Sequence, residues 1–216
     1  MTDQERLKDF VEKVLTYFNN DFAELKRQNV TASFPYIFHA FAGIDFLGGL
    51  ACGFKDKDGK RNSGDRSRWF ISTWMSKADA RYNKSHSGRN VADYLYTFLR
   101  SGLFHAACVE GSIKVQTSED LKSHHLGYSF DDGKSIMFIH PIQFAEHFHR
   151  AADLFLEDLY KDNNKVTTAV VHSQKYKEDT TTKEKMYNLE YLFQELTSNS
   201  PLVAGTRATS SAQKIS

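Results

Sequence analysis

The chain has 216 residues, 40% of them hydrophobic with 17 Phe and 10 Tyr, and its 28 Lys and Arg stand against 27 Asp and Glu for a formal net charge of +1. That is ample apolar material for the core of one ordinary-sized domain, and the balance excludes wholesale disorder and a histone-like polycation. The polar, acidic start MTDQERLKDF lacks a secretory signal's order, no stretch reaches the ~18 apolar residues of a membrane span, and Cys52 and Cys108 have no ligand spacing, so a cytoplasmic protein with both cysteines reduced and buried is expected.

Residues 3 to 28 place Leu7, Phe10, Val11, Val14, Leu15, Phe18, Phe22 and Leu25 at spacings of three and four, which predicts a long amphipathic helix. Ser33 can cap a second helix with Pro35 near its first turn, and Tyr36 to Phe54 is apolar enough to be buried on most sides. Gly43, Gly48, Gly49 and Gly53 there fit close helix packing followed by a helix stop, because no GxGxxG or lysine-bearing phosphate loop is present. The stretch 55 to 68, KDKDGKRNSGDRSR, has no periodicity and reads as a loop.

A helix through Trp69, Phe70, Ile71, Trp74 and Met75 follows, then a polar break at RYNKSHSGRN. Asn90 can cap a helix with an apolar face of Val91, Tyr94, Leu95, Phe98 and Leu99 that runs into RSGLFH. Around Asp132-Gly133 the period changes to two, predicting a β-hairpin at roughly 125 to 140. Pro141 opens another helix with Phe144, Ala145, Phe148, Ala152, Phe155 and Leu159 toward the core. VTTAVVHSQKYKEDTTTK is β-branched at first and polar later, and stays ambiguous between strand and helix. The expected organisation is a mainly α domain over 1–165, a C-terminal extension over 166–196 with a helix from Lys183 to Leu196, and a disordered tail over 197–216.

The distinctive element is Arg100-Ser101-Gly102-Leu103-Phe104-His105 at the end of an apolar helix. With the Leu-Gly-Gly-Leu helix (Phe46 to Gly53), an Arg-x-Gly-Leu-x-His element and a following hairpin and helix, residues 5 to 162 resemble the HEPN superfamily of helical bundles. The resemblance implies a HEPN-like bundle with an inserted hairpin, and a metal-independent endoribonuclease of toxin or defence type whose site forms where two motif copies meet in a homodimer, without a cofactor. An antitoxin or other regulatory partner would fit such a protein. In that reading His105 transfers the proton and Arg100 stabilises the crowded phosphorane, tasks suited to a group with a pKa of ~6.5 and to a fixed fork of donors. On an uninterrupted helix the two residues would point about 140° apart, so a loosened helix at Gly102 or a second subunit must bring them together. The same pair also admits a non-catalytic ligand-binding role, or a structural one in which Arg100 caps carbonyls. Active members often carry Asn, Asp or His after the arginine, where this chain has the weaker Ser101. Ala107 stands where nucleotidylated members have Tyr.

The middle of the chain, Lys55 to Arg100, carries a net charge of +6 against −5 for the remainder. Lys60, Arg61, Arg66, Arg68, Arg81, Lys84 and Arg89, with Trp69 and Tyr82 for stacking, can therefore hold RNA or a nucleotide, or simply solvate a loop. Asp45, in an apolar helix, needs a polar partner, and Arg100 is one candidate. His147 and His149 read as surface residues, His124 and His125 as opposite faces before a strand, and His140 as the hairpin's end, with no zinc pair among them.

Overall fold

The computed structural model describes residues 2–28, 33–55, 58, 60, 62–86, 88–100, 113–131 and 134–181. Ser101, His105, Cys108, Arg61, the Asp132-Gly133 turn, the helix expected over 183–196 and the tail over 197–216 lie outside them. Residues 1–176 form one compact unit; of the second, 177–216, the described part ends a helix. The architecture is mainly helical with a small three-stranded sheet.

Helix α1 (Asp3–Arg27) starts at a capping box, in which the Thr2 hydroxyl accepts from the Glu5 N–H at 3.2 Å and the Glu5 carboxylate accepts from the Thr2 N–H at 2.7 Å. Its stripe is buried only through Leu15, at Leu7, Phe10, Val11 and Leu15. Helix α2 (Ser33–Cys52) is long and apolar enough to cross a membrane by length and composition, yet more than half of that span is buried inside the protein as its central helix. Tyr36, Ile37, Ala40, Phe41, Ile44, Leu47 and Leu50 are shielded from water there. The α2 glycines act as expected. A Cβ on Gly43 would lie 2.0 Å from the Phe148 ring, and Gly53 ends the helix at φ +86°.

Helix α3 (Ser63–Phe70) begins inside the stretch read as a loop, continues as a π-helical turn (Ile71–Met75) and ends in α4 (Ser76–Ala78). No apolar period announced it because its α2-facing residues are Arg66 and Ser67, both buried. The helices come so close that a Cβ on Gly48 would meet the Arg66 carbonyl oxygen at 2.7 Å. Gly48→Val is therefore expected to cost about 1–3 kcal/mol in urea unfolding, and an unchanged midpoint would show that this contact does not hold the two helices.

A short 3-10 turn (Ala80–Asn83) leads to a hairpin of β1 (Ser85–His86) and β2 (Arg89–Asn90) inside the polar break. Asn90 then caps α5 (Val91–Tyr94), accepting from the Asp93 N–H at 2.7 Å, and α5 runs into a second π-helical turn (Leu95–Arg100). The expected hairpin is present as β4 (Tyr128–Asp131) and β5 (Lys134–Ile139), antiparallel with Tyr128 opposite Met137. A further strand, β3 (Ile113–Val115), pairs parallel to β5 with Ile113 opposite Met137, giving the order β3-β5-β4. Three residues are too few to show a period of two.

Pro141 opens α6 (Pro141–Lys161), which lays Phe144, Phe148, Ala152 and Phe155 into the core. The ambiguous segment resolves as α7 (Asn163–Thr181). Its Thr167 and Thr168 hydroxyls bond back to the carbonyls of Asn163 and Asn164 at 2.9 Å, and Val166 and Ala169 are buried. Packing here overrides the β-branched preference. Cys52, expected in the core, is exposed in the last turn of α2.

Candidate functional site

Asp45 finds its partner in Arg66, and no contact to Arg100 forms. The carboxylate accepts from Arg66 Nε at 2.9 Å and Nη2 at 2.6 Å, a bidentate pair. Arg66 also donates to the Phe54 carbonyl at 2.8 Å and to Asn62 Oδ1 at 3.3 Å, and its guanidinium stacks on Phe54. The structure thus withdraws Arg66 from any nucleic-acid surface and Asp45 from direct support of Arg100: both are spent on joining α2 to α3.

Arg100 ends the Leu95–Arg100 turn with its guanidinium 5.4 Å from the Tyr96 ring and Nη2 3.4 Å from Ser63 Oγ. Arg68 approaches the same ring at 4.5 Å, while its Nε meets Asp93 Oδ1 at 2.7 Å. Arg89 stands 5.6 Å from the Phe98 ring, and Phe98 lies against Tyr94. Arg68 and Arg100 therefore flank the Tyr96 ring and Arg89 the Phe98 ring of one π-helical turn, with the charge of Arg68 already answered by Asp93. Lys60 and Lys84 are exposed elsewhere on the chain. Of the aromatic residues expected to stack on bases, Tyr82 is fully buried and Trp69 half-buried; Tyr96 and Phe98 stand beside the arginines instead. Their spacing from Arg100, four and two residues, was visible in the sequence, but only the winding of the turn shows which cations reach them.

Arg81 belongs to a buried polar network that sequence reasoning did not foresee. It clamps Asp79, donating to its carboxylate from Nε at 3.0 Å and Nη2 at 2.6 Å, and Nη1 donates to the His125 carbonyl. That clamp pulls the Asp79 carboxyl down to about 2. Hydrogen positions along the network follow from one backbone group. The His140 N–H can only donate, so His125 Nδ1, 3.1 Å away, accepts and the ring's proton sits on Nε2. His125 Nε2 then donates to Tyr82 Oη at 3.0 Å, and the Tyr82 hydroxyl donates to His147 Nδ1 at 3.2 Å. His147 is left with its proton on Nε2, 3.8 Å from Asp79 Oδ2.

His147, expected at the surface, is 6% exposed, and His125 and His140 are 0% and 1% exposed. Burial is the leading cause that lowers the pKa of all three. His140 also caps α6, its Nδ1 accepting from the Gln143 N–H at 3.3 Å. His149 pairs with His39, Nε2 to Nε2 at 2.9 Å, beside Phe22, and burial brings it to about 4.

Among the described residues no group of three or more His, Cys, Asp or Glu could hold a metal ion. No family model, characterised protein or solved structure matches the chain. The chemistry at hand is that of the arginine and aromatic surface: fixed cations for phosphate oxygens beside faces on which bases can stack.

Proposed function

We propose that the protein is a cytoplasmic, homodimeric, HEPN-like RNA-directed protein, and that it acts as a metal-independent endoribonuclease through Arg100 and His105. The observation that carries the reading is the gathering of Arg68, Arg89 and Arg100 around Tyr96 and Phe98 on the turn that leads into the motif. Arg100 would stabilise the scissile phosphate and His105 would carry the proton of the attacking 2′-hydroxyl, while Tyr96 and Phe98 receive unpaired bases.

The purified protein is expected to cut RNA in EDTA and to leave the matching DNA intact. His105→Ala should abolish cleavage, and Arg100→Ala should lower it by about 10²–10³-fold. Cleavage that survives His105→Ala, or that requires added metal, overturns the assignment. A second reading, a catalytically silent RNA- or nucleotide-binding module, is favoured by one feature: Ser101 follows Arg100 where active members often carry the stronger hydrogen-bonding Asn, Asp or His. Binding without turnover, weakened by Arg100→Ala, would select it.

A further inference from the structure

The apolar stripe of α1 continues to Leu25 in the sequence, but its burial stops at Leu15. Beyond that point α1 and α2 enclose an open cleft of about 530 Å³, within the range that takes small organic ligands. Phe18 and Leu25 on one side and Pro35, Phe38 and Ala42 on the other give it apolar walls.

The polar lining has one sign. Among the described residues that line it, Asp21 and Glu24, one turn apart on α1, are the only charged side chains; Gln28 and His39 complete the polar lining, and none is a lysine or arginine. Glu24 is already answered by Arg27, at 2.7 Å from both Nε and Nη2, and by Gln28 at 2.7 Å. Asp21 is exposed at the rim and has no hydrogen-bond or ion-pair partner among the described residues. His39 is tied to His149 at the inner wall, where burial favours its neutral form.

We propose that this cleft binds a small organic cation, an ammonium group carried on an aromatic or branched apolar body. The body would fill the space between Phe18 and Leu25 of α1 and Phe38 of α2, and the ammonium would lie between the Asp21 carboxylate and the electron-rich aromatic faces. Anions are disfavoured by the Asp21 carboxylate, with no lysine or arginine among the described lining residues. Neutral analogues keep the apolar contacts and lose the electrostatic ones. The site is remote in sequence from the Arg100 turn, so it stands or falls independently of the nuclease reading.

Three isosteric probes test it by chemical-shift titration of the full chain: 2-phenylethylammonium, 2-phenylethanol and phenylacetate. The cation is expected to shift resonances of residues 18–28 and 33–42, to bind about 5–10-fold more tightly than the alcohol, and to weaken with added salt; phenylacetate should cause no shifts. Asp21→Asn, an exposed substitution that leaves the core untouched, should bring the cation to the affinity of the alcohol without changing the alcohol's own. Phe38→Ala should weaken both. Equal affinities of cation and alcohol, an Asp21→Asn variant that binds the cation normally, or shifts scattered outside the cleft would each overturn the proposal.

Discussion

Asp45→Ala is expected to lower the free energy of unfolding by about 3–5 kcal/mol, because it leaves the Arg66 guanidinium in the α2–α3 interface without its counter-charge. The two partners are unequally placed: the Arg66 side chain is 7% exposed and that of Asp45 32%. Arg66→Met should therefore cost less than Asp45→Ala, since it strands a carboxylate that water can still reach and keeps much of the apolar stem packed on Phe54. The double variant Asp45→Leu with Arg66→Met removes both charges and should recover much of the loss. Urea unfolding of the three variants checks the order. A loss below about 1 kcal/mol for Asp45→Ala would mean that the pair is screened like a surface ion pair and does not join the helices.

Acidification is expected to destabilise the fold well before the carboxylates titrate. His39, His125, His140, His147 and His149 all have pKa values held below the ordinary 6.5, with burial the leading cause in each. In the unfolded chain each takes up a proton near 6.5, so the unfolded state binds more protons as pH falls. The stabilisation is present in full above that value and is lost as pH drops through the window from 6.5 toward the lowered values. Each histidine adds up to about 1.4 kcal/mol per pH unit there. The network explains the resistance to protonation: His125 Nδ1 and His147 Nδ1, the acceptor nitrogens, already receive the His140 N–H and the Tyr82 O–H.

The groups facing these rings are Asp79 and Arg81 from the segment after α4, and Glu146 and Arg150 from α6, with Glu119 and Lys122 near His140. Asp79, held near 2, adds a separate loss that begins as the pH falls into the ordinary carboxylate range and continues down to about 2. The urea midpoint should fall steeply between pH 7 and 5. A midpoint that stays flat down to pH 5 would show that these histidines are not buried neutral. Tyr82→Phe should cost about 1–3 kcal/mol at neutral pH by leaving His125 Nε2–H and His147 Nδ1 unpaired, and should soften the acid response by freeing His147 to protonate.

Much of the helical framework is legible from local chemistry. The three-and-four spacing in α1, the apolar run of α2, the cap at Asn90, the helix start at Pro141 and the stop at Gly53 each depend on residues within a turn or two of one another. The hairpin is legible in the same way, from alternation around Asp132-Gly133. What escaped were elements whose reason lies across the molecule. The polar start of α3 is buried by an ion pair to α2, β3 is three residues supported by β5, and α7 is helical through Val166 and Ala169 despite its β-branched opening.

Polar residues divide along the same line. The charge count along the chain already located a basic middle and the Arg100 element at its end, since both are linear properties. It could not say which cations were available. Arg66 and Arg81 had the same weight as Arg89 until the fold paired the first with Asp45 and the second with Asp79. His147 and His149, read as surface residues, reversed more fully. Four of the five rings with lowered pKa values, those of His39, His125, His147 and His149, are held by partners between 15 and 110 residues away in sequence, because a buried imidazole takes its tautomer and charge from whatever donor packing sets beside it. By itself the sequence determined a mainly helical framework and where its positive charge lies. Only tertiary structure decided which charges and rings face water and which hold the core, because that choice depends on neighbours the chain brings together only when it folds.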